Sequence, residues 1–114
     1  MTDPAEISAI IEQYERHGWR LRRVLLTREL ADALGDTAGL FPGADVRIAR
    51  GSALWFSRRS HADREAWELR RVSSSPFAVV EVFPDGITDQ ERDRSLEDAE
   101  SRLFDPDRPK ETSH

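Results

Sequence analysis

From Asp45 onward the apolar residues of this chain stop recurring every third or fourth position and begin to alternate, and that change of period restricts the fold more than any other feature. Val46 and Ile48 alternate around Arg47, and Trp67 and Leu69 oppose Ala66, Glu68, Arg70 and Val72. Alternation is the signature of strands. Two segments, Ala53 to Phe56 and Phe77 to Phe83, are apolar on both sides except for Glu81, which marks them as interior strands, the second as the centre of the sheet. Arg50-Gly51 offers a tight turn between the first two strands, a polar loop runs from Arg58 to Arg64, and Ser73 to Pro76 turns the chain again. With connections this short, the four strands are expected to run antiparallel.

Before Asp45 the helical period holds in two places. Asp3 can cap a helix that has Pro4 at its first position, and Ile7, Ile10, Ile11 and Tyr14 then fall on one stripe until Gly18 stops it. Trp19 to Leu26 reads as a strand, with Trp19, Leu21 and Leu25 on one face and Arg20, Arg22, Val24 and Leu26 on the other. Thr27 caps a short helix whose inner side is Leu30, Ala31 and Leu34 and which ends at Gly35; residues 36–44 form a loop pinned by Leu40 and Phe41.

After the last strand, Pro84-Asp85-Gly86 turns the chain, Ile87 acts as a staple, and Thr88 with Glu91 makes a capping box for a closing helix to about Phe104. That helix has few apolar residues (Leu96, Ala99, Leu103, Phe104), so its first turns should be solvated. The expectation is an α+β fold, a two-layer sandwich with a mostly antiparallel sheet of about five strands and helices packed on one face. Residues 1–104 form a single domain, and residues 105–114 a flexible tail.

Composition removes several classes of function. With no cysteine, disulfide scaffolds, cysteine-ligated metals and thiol nucleophiles are excluded, and 114 residues suffice for a core without such staples. The acidic first residues resemble no targeting segment and no apolar run could span a bilayer, so a cytoplasmic location is expected for what reads as a small bacterial-type domain. The net charge of −5 hides a segregation: residues 1–15 carry −4, residues 16–71 carry +5, and residues 72–114 carry −6. Sixteen of the seventeen cations are arginine, a bias that a GC-rich genome produces unaided and that also suits bidentate pairing across a sheet.

Three groups of residues could carry chemistry. Glu81, alone in an apolar strand, needs a partner such as Arg70 or Arg71, or else a raised pKa; as a general base it would need Glu68 or His61 beside it. Arg58, Arg59, His61 and Arg64 sit close enough in sequence to cradle an anionic ligand or nucleotide. His61 and Asp63 are too few to make a metal site, and the segment from Asp85 lacks the spacing of a calcium loop, so neither metal nor cofactor is expected.

Arginines interleaved with Trp19, Trp55, Phe56 and Trp67 suggest nucleic acid, but the negative charge and the core-like spacing of the aromatics oppose it. No phosphate loop, nucleophile elbow or zinc-protease motif occurs. The expected function is therefore a non-catalytic module for protein interaction or homodimerisation, with the Arg58–Arg64 loop as an anion-binding alternative and a protein or a second copy as partner.

Overall fold

A computed structural model describes residues 4–72 and 78–104. The Asp3 cap, the Ser73–Pro76 turn, Phe77 and the 105–114 tail lie outside the described residues. The elements run α1 (Pro4–Arg16), β1 (Arg20–Leu26), α2 (Arg28–Leu34), α3 (Thr37–Leu40), β2 (Asp45–Ile48), β3 (Ala53–His61), β4 (Arg64–Arg71), β5 (Ala78–Pro84) and α4 (Asp89–Phe104). The five strands form one sheet in the order β2-β1-β3-β4-β5, antiparallel except for the parallel pair β1 and β2. The fold is α+β with the expected number of strands.

Helix ends form where local sequence dictates. Gly18 turns α1 off at φ 86°, while Gly18 N–H and Trp19 N–H donate to Glu15 O and Tyr14 O at 3.0 Å each. Thr27 Oγ1 accepts from Leu30 N–H at 3.2 Å, and Gly35 closes α2 at φ 80°. Thr88 and Glu91 make the reciprocal capping box of α4, with Glu91 N–H to Thr88 Oγ1 at 3.1 Å and Thr88 N–H to Glu91 Oε1 at 3.4 Å. The expected 36–44 loop contains one short turn of helix, α3, capped by Asp36; Phe41 pins it, whereas Leu40 is 49% exposed.

The layering is where the structure departs from expectation. Along β3 the buried residues alternate: Ala53 and Trp55 pack with Leu25, Trp67, Leu69 and Phe83 under Leu96, Ala99 and Leu103 of α4. Leu54 and Phe56 pack with Val24, Leu26 and Val72 against Ile7, Phe41 and the inner side chains of α1 and α2. Neighbouring residues on a strand point to opposite faces, so helices cover both sides of the sheet rather than one. Burying Leu96 and Leu103 contributes about 1.5–3 kcal/mol for each side chain, enough to hold α4 down despite its charged surface.

The strand order also differs from the expectation. β2 does not form a hairpin with β3; α2 and α3 carry the chain across so that β2 lies parallel to β1, and Ala49 N–H extends the ladder to Leu26 O at 2.8 Å. Val24, Leu25 and Leu26 are buried on both faces, and an interior place for β1 satisfies them. β5, which pairs with β4 alone, is an edge strand and β3 is the central one; among the described residues only the α4 side of β5 is covered.

The residues read as a 58–64 loop belong to the arms of a β3–β4 hairpin that turns at Ala62-Asp63. Within β1 a bulge shifts the register between Leu21, opposite Phe56, and Arg23, opposite Trp55. The extra residue reverses the expected faces: Trp19 and Leu21 join Val24 and Leu26 on the α1 side, while Arg22 and Arg23 reach the groups on the α4 side.

Candidate functional site

The strand register separates the candidate catalytic residues. Glu68 is opposite Val80 on the α1 side and accepts a hydrogen bond from the Tyr14 hydroxyl. Glu81 is opposite Trp67 on the α4 side, where its partner is Arg102 of α4 at 3.9 Å rather than Arg70 or Arg71. His61 ends β3, exposed and paired with Arg64. These three groups do not converge on one space.

The four candidate ligand residues also diverge. Arg58 lies over the Trp19 ring at 4.6 Å and donates to His17 O at 3.1 Å. Its neighbour Arg59 points to the other face and pairs with Asp85 at 2.7 Å. Arg64 Nε sits 3.9 Å from Asp63. Of this set, Arg58 lines a cleft.

That cleft, of about 470 Å³, opens between the end of α1 and the α1 side of β3 and β4, and Gln13, Tyr14, His17, Trp19, Arg58 and Arg70 line it. Its floor is aromatic: Tyr14 stacks on Phe56 at 4.0 Å and meets Trp19 edge-on at 6.1 Å. Burial pushes the Tyr14 phenol well above its ordinary pKa, and the hydrogen bond to Glu68 and that carboxylate's charge push it further; Arg70 pulls the other way. Arg70 Nε is buried with no acceptor, and among the described residues no ion pair includes Arg70.

Beside the cleft, no helix among the described residues lies over the sheet. On the α1 side of β4 and β5, Arg70, Glu68 and Ala66 stand opposite Ala78, Val80 and Val82, and both valines are 52% exposed. Sequence reading assigned these valines to a central strand. The signal it lacked was length: α1 to α3 are too short to cover five strands.

Part of the arginine surplus is consumed inside the fold. Arg23, 5% exposed, pairs with Glu100 at 3.1 Å, Asp93 at 3.2 Å and Asp45 at 3.8 Å, and Trp55 Nε1 donates to the same Glu100 oxygen at 2.7 Å. Arg22 and Arg92 lie over Trp67 at 4.6 and 5.1 Å. Trp55 and Trp67 are buried and so unavailable to stack on bases. Among the described residues no cluster of three His, Asp or Glu could hold a metal ion, and no helix is long and apolar enough to cross a membrane. Comparison with protein-family models, with curated proteins and with solved structures finds no match in any of the three.

Proposed function

We propose that the chain is a non-catalytic interaction module that homodimerises by pairing β5 with β5 of a second copy. The observation that carries this reading is the half-exposure of Val80 and Val82 on an edge strand whose α1 side is covered by none of the described residues. An unpaired apolar edge is a template for another strand, and native sheets either guard it or pair it. The other edge, β2, is guarded: it is four residues long and carries Asp45 and Arg47. β5 has seven residues and only Glu81 and Pro84 to deter a neighbour.

A two-fold axis perpendicular to the sheet can be centred on Val80 of β5. That register sets the two Val80 side chains opposite each other, Ala78 opposite Val82, and Val79 opposite Glu81, and keeps the two Glu81 carboxylates apart. Arg102 remains beside each Glu81. The anion-binding alternative through Arg58, Arg59, His61 and Arg64 has less geometric support, because these residues lie on different faces and Arg59 is already paired.

Light scattering coupled to size exclusion at micromolar concentration tests the dimer. The expected mass is twice 13.0 kDa, and Val80→Lys, which sets two like charges opposite each other, returns the 13.0 kDa monomer with unchanged circular dichroism. A wild-type chain that stays monomeric across the concentration range refutes the proposal.

A further inference from the structure

We infer that the cleft between α1 and the β3–β4 hairpin binds a small molecule bearing a single carboxylate, anchored by Arg70 and steadied at the mouth by Arg58. This inference is independent of pairing through β5. Among the described residues, two arginines have a buried Nε–H without an acceptor, Arg70 and Arg92. They differ in their surroundings. Arg92 keeps Asp89 at 3.3 Å and Asp93 at 4.0 Å, whereas among the described residues no carboxylate comes within 4 Å of the Arg70 guanidinium.

Glu68 lies two residues away on the same face, yet its carboxylate is engaged by the Tyr14 hydroxyl. Arg70 therefore brings its guanidinium, with Nε buried, to a cleft whose lining holds no carboxylate for it. A ligand carboxylate accepting from both terminal nitrogens side by side meets the guanidinium with the fork geometry it favours, and it compensates a group whose Nε–H already lies buried without an acceptor.

The mouth of the cleft is ordered in advance. Arg58 is held by His17 O at 3.1 Å and by the Trp19 ring, so its charge is already in position. The local balance selects the ligand's charge: two guanidinium groups against the one carboxylate of Glu68 leave a single positive charge. A monoanion neutralises that charge, while a dianion such as phosphate brings surplus negative charge towards Glu68. The volume of about 470 Å³ falls within the usual range of small-molecule sites, and the aromatic floor of Tyr14 and Trp19 favours a flat apolar body behind the carboxylate.

The test titrates benzoate, neutral benzamide and inorganic phosphate into the full chain while the indole N–H resonance of Trp19, which lines the cleft and is kept in every variant, is followed by NMR. Benzoate is expected to shift that resonance saturably, with benzamide inert and phosphate weaker. Arg70→Lys, which keeps the charge but loses the fork, should weaken benzoate about tenfold, and Arg59→Gln, outside the cleft, should leave it unchanged. Should Arg70→Lys fail to fold, Arg58→Lys replaces it, with weakened benzoate binding expected. Equal response to benzamide, phosphate binding as tightly as benzoate, absence of saturation, or a folded variant that binds as the wild type does each overturns the inference.

Discussion

Replacing Glu100 by Gln tests whether the buried Arg23 is held by charge or only by shape. The substitution preserves size and leaves an amide oxygen to accept from Trp55 Nε1, so the principal loss is the carboxylate 3.1 Å from the guanidinium. With an effective dielectric of about 20, such a pair is worth about 5 kcal/mol, and the desolvation of Arg23 offsets part of that. Asp93 at 3.2 Å and Asp45 at 3.8 Å remain, but their side chains are 40% and 52% exposed and screened by water. The expected loss is therefore about 2–3 kcal/mol, below the full cost of an orphaned buried charge.

Arg23→Met should cost a similar amount by leaving Glu100 with Trp55 alone. The double variant should cost clearly less than the sum, with a coupling energy of about 2 kcal/mol. Urea denaturation followed by tryptophan fluorescence gives all four free energies, and fixed protein concentration removes any contribution from association. Costs that add to within about 0.5 kcal/mol would show that the pair contributes no net attraction and would refute the reasoning.

Two further outcomes follow from single side chains. Tyr14 is the chain's only tyrosine, so tyrosinate absorbance reports it alone. Its phenol is raised above the ordinary 10 in the folded state, so the unfolded chain loses that proton first; stability is complete below pH 10 and falls as the pH rises beyond it, by at most about 1.4 kcal/mol per unit. Glu68→Gln should bring the folded midpoint back towards 10, and a wild-type midpoint at 10 would contradict the hydrogen bond. Gly51 closes against α4 so tightly that an added Cβ would lie 2.6 Å from Phe104 Cδ1; Gly51→Ala should cost about 1–3 kcal/mol in thermal denaturation, and Phe104→Leu should recover part of it.

How much could be read in advance depended on the range of the interaction. Thr27, Gly35, Thr88 with Glu91 and Gly18 set their helix ends through contacts within five residues, so sequence alone located them. Ala53 to Phe56 declared β3 an interior strand because residues apolar on both sides must be covered on both. Phe77 to Phe83 carried the same pattern and misled, since Val80 and Val82 lie beyond the reach of α1. The arginines of the hairpin looked like one cluster because they are adjacent, but strand pleat sends Arg58 and Arg59 to opposite faces.

Sequence by itself determined the main helices and strands, the helix ends at Gly18, Thr27, Gly35 and Thr88, the α+β class and the exclusion of cysteine chemistry, all of which follow from local periodicity, capping and composition. Tertiary structure decided that β2 lies parallel to β1, that α4 covers the second face, and that one bulged residue turns Arg22 and Arg23 towards the α4 side. It also decided that Arg70, unremarkable in a strand of alternating residues, faces a cleft without a counter-charge. The reason is physical: strand order, face and charge pairing depend on contacts between residues dozens of positions apart, where a one-residue shift in register exchanges core for surface.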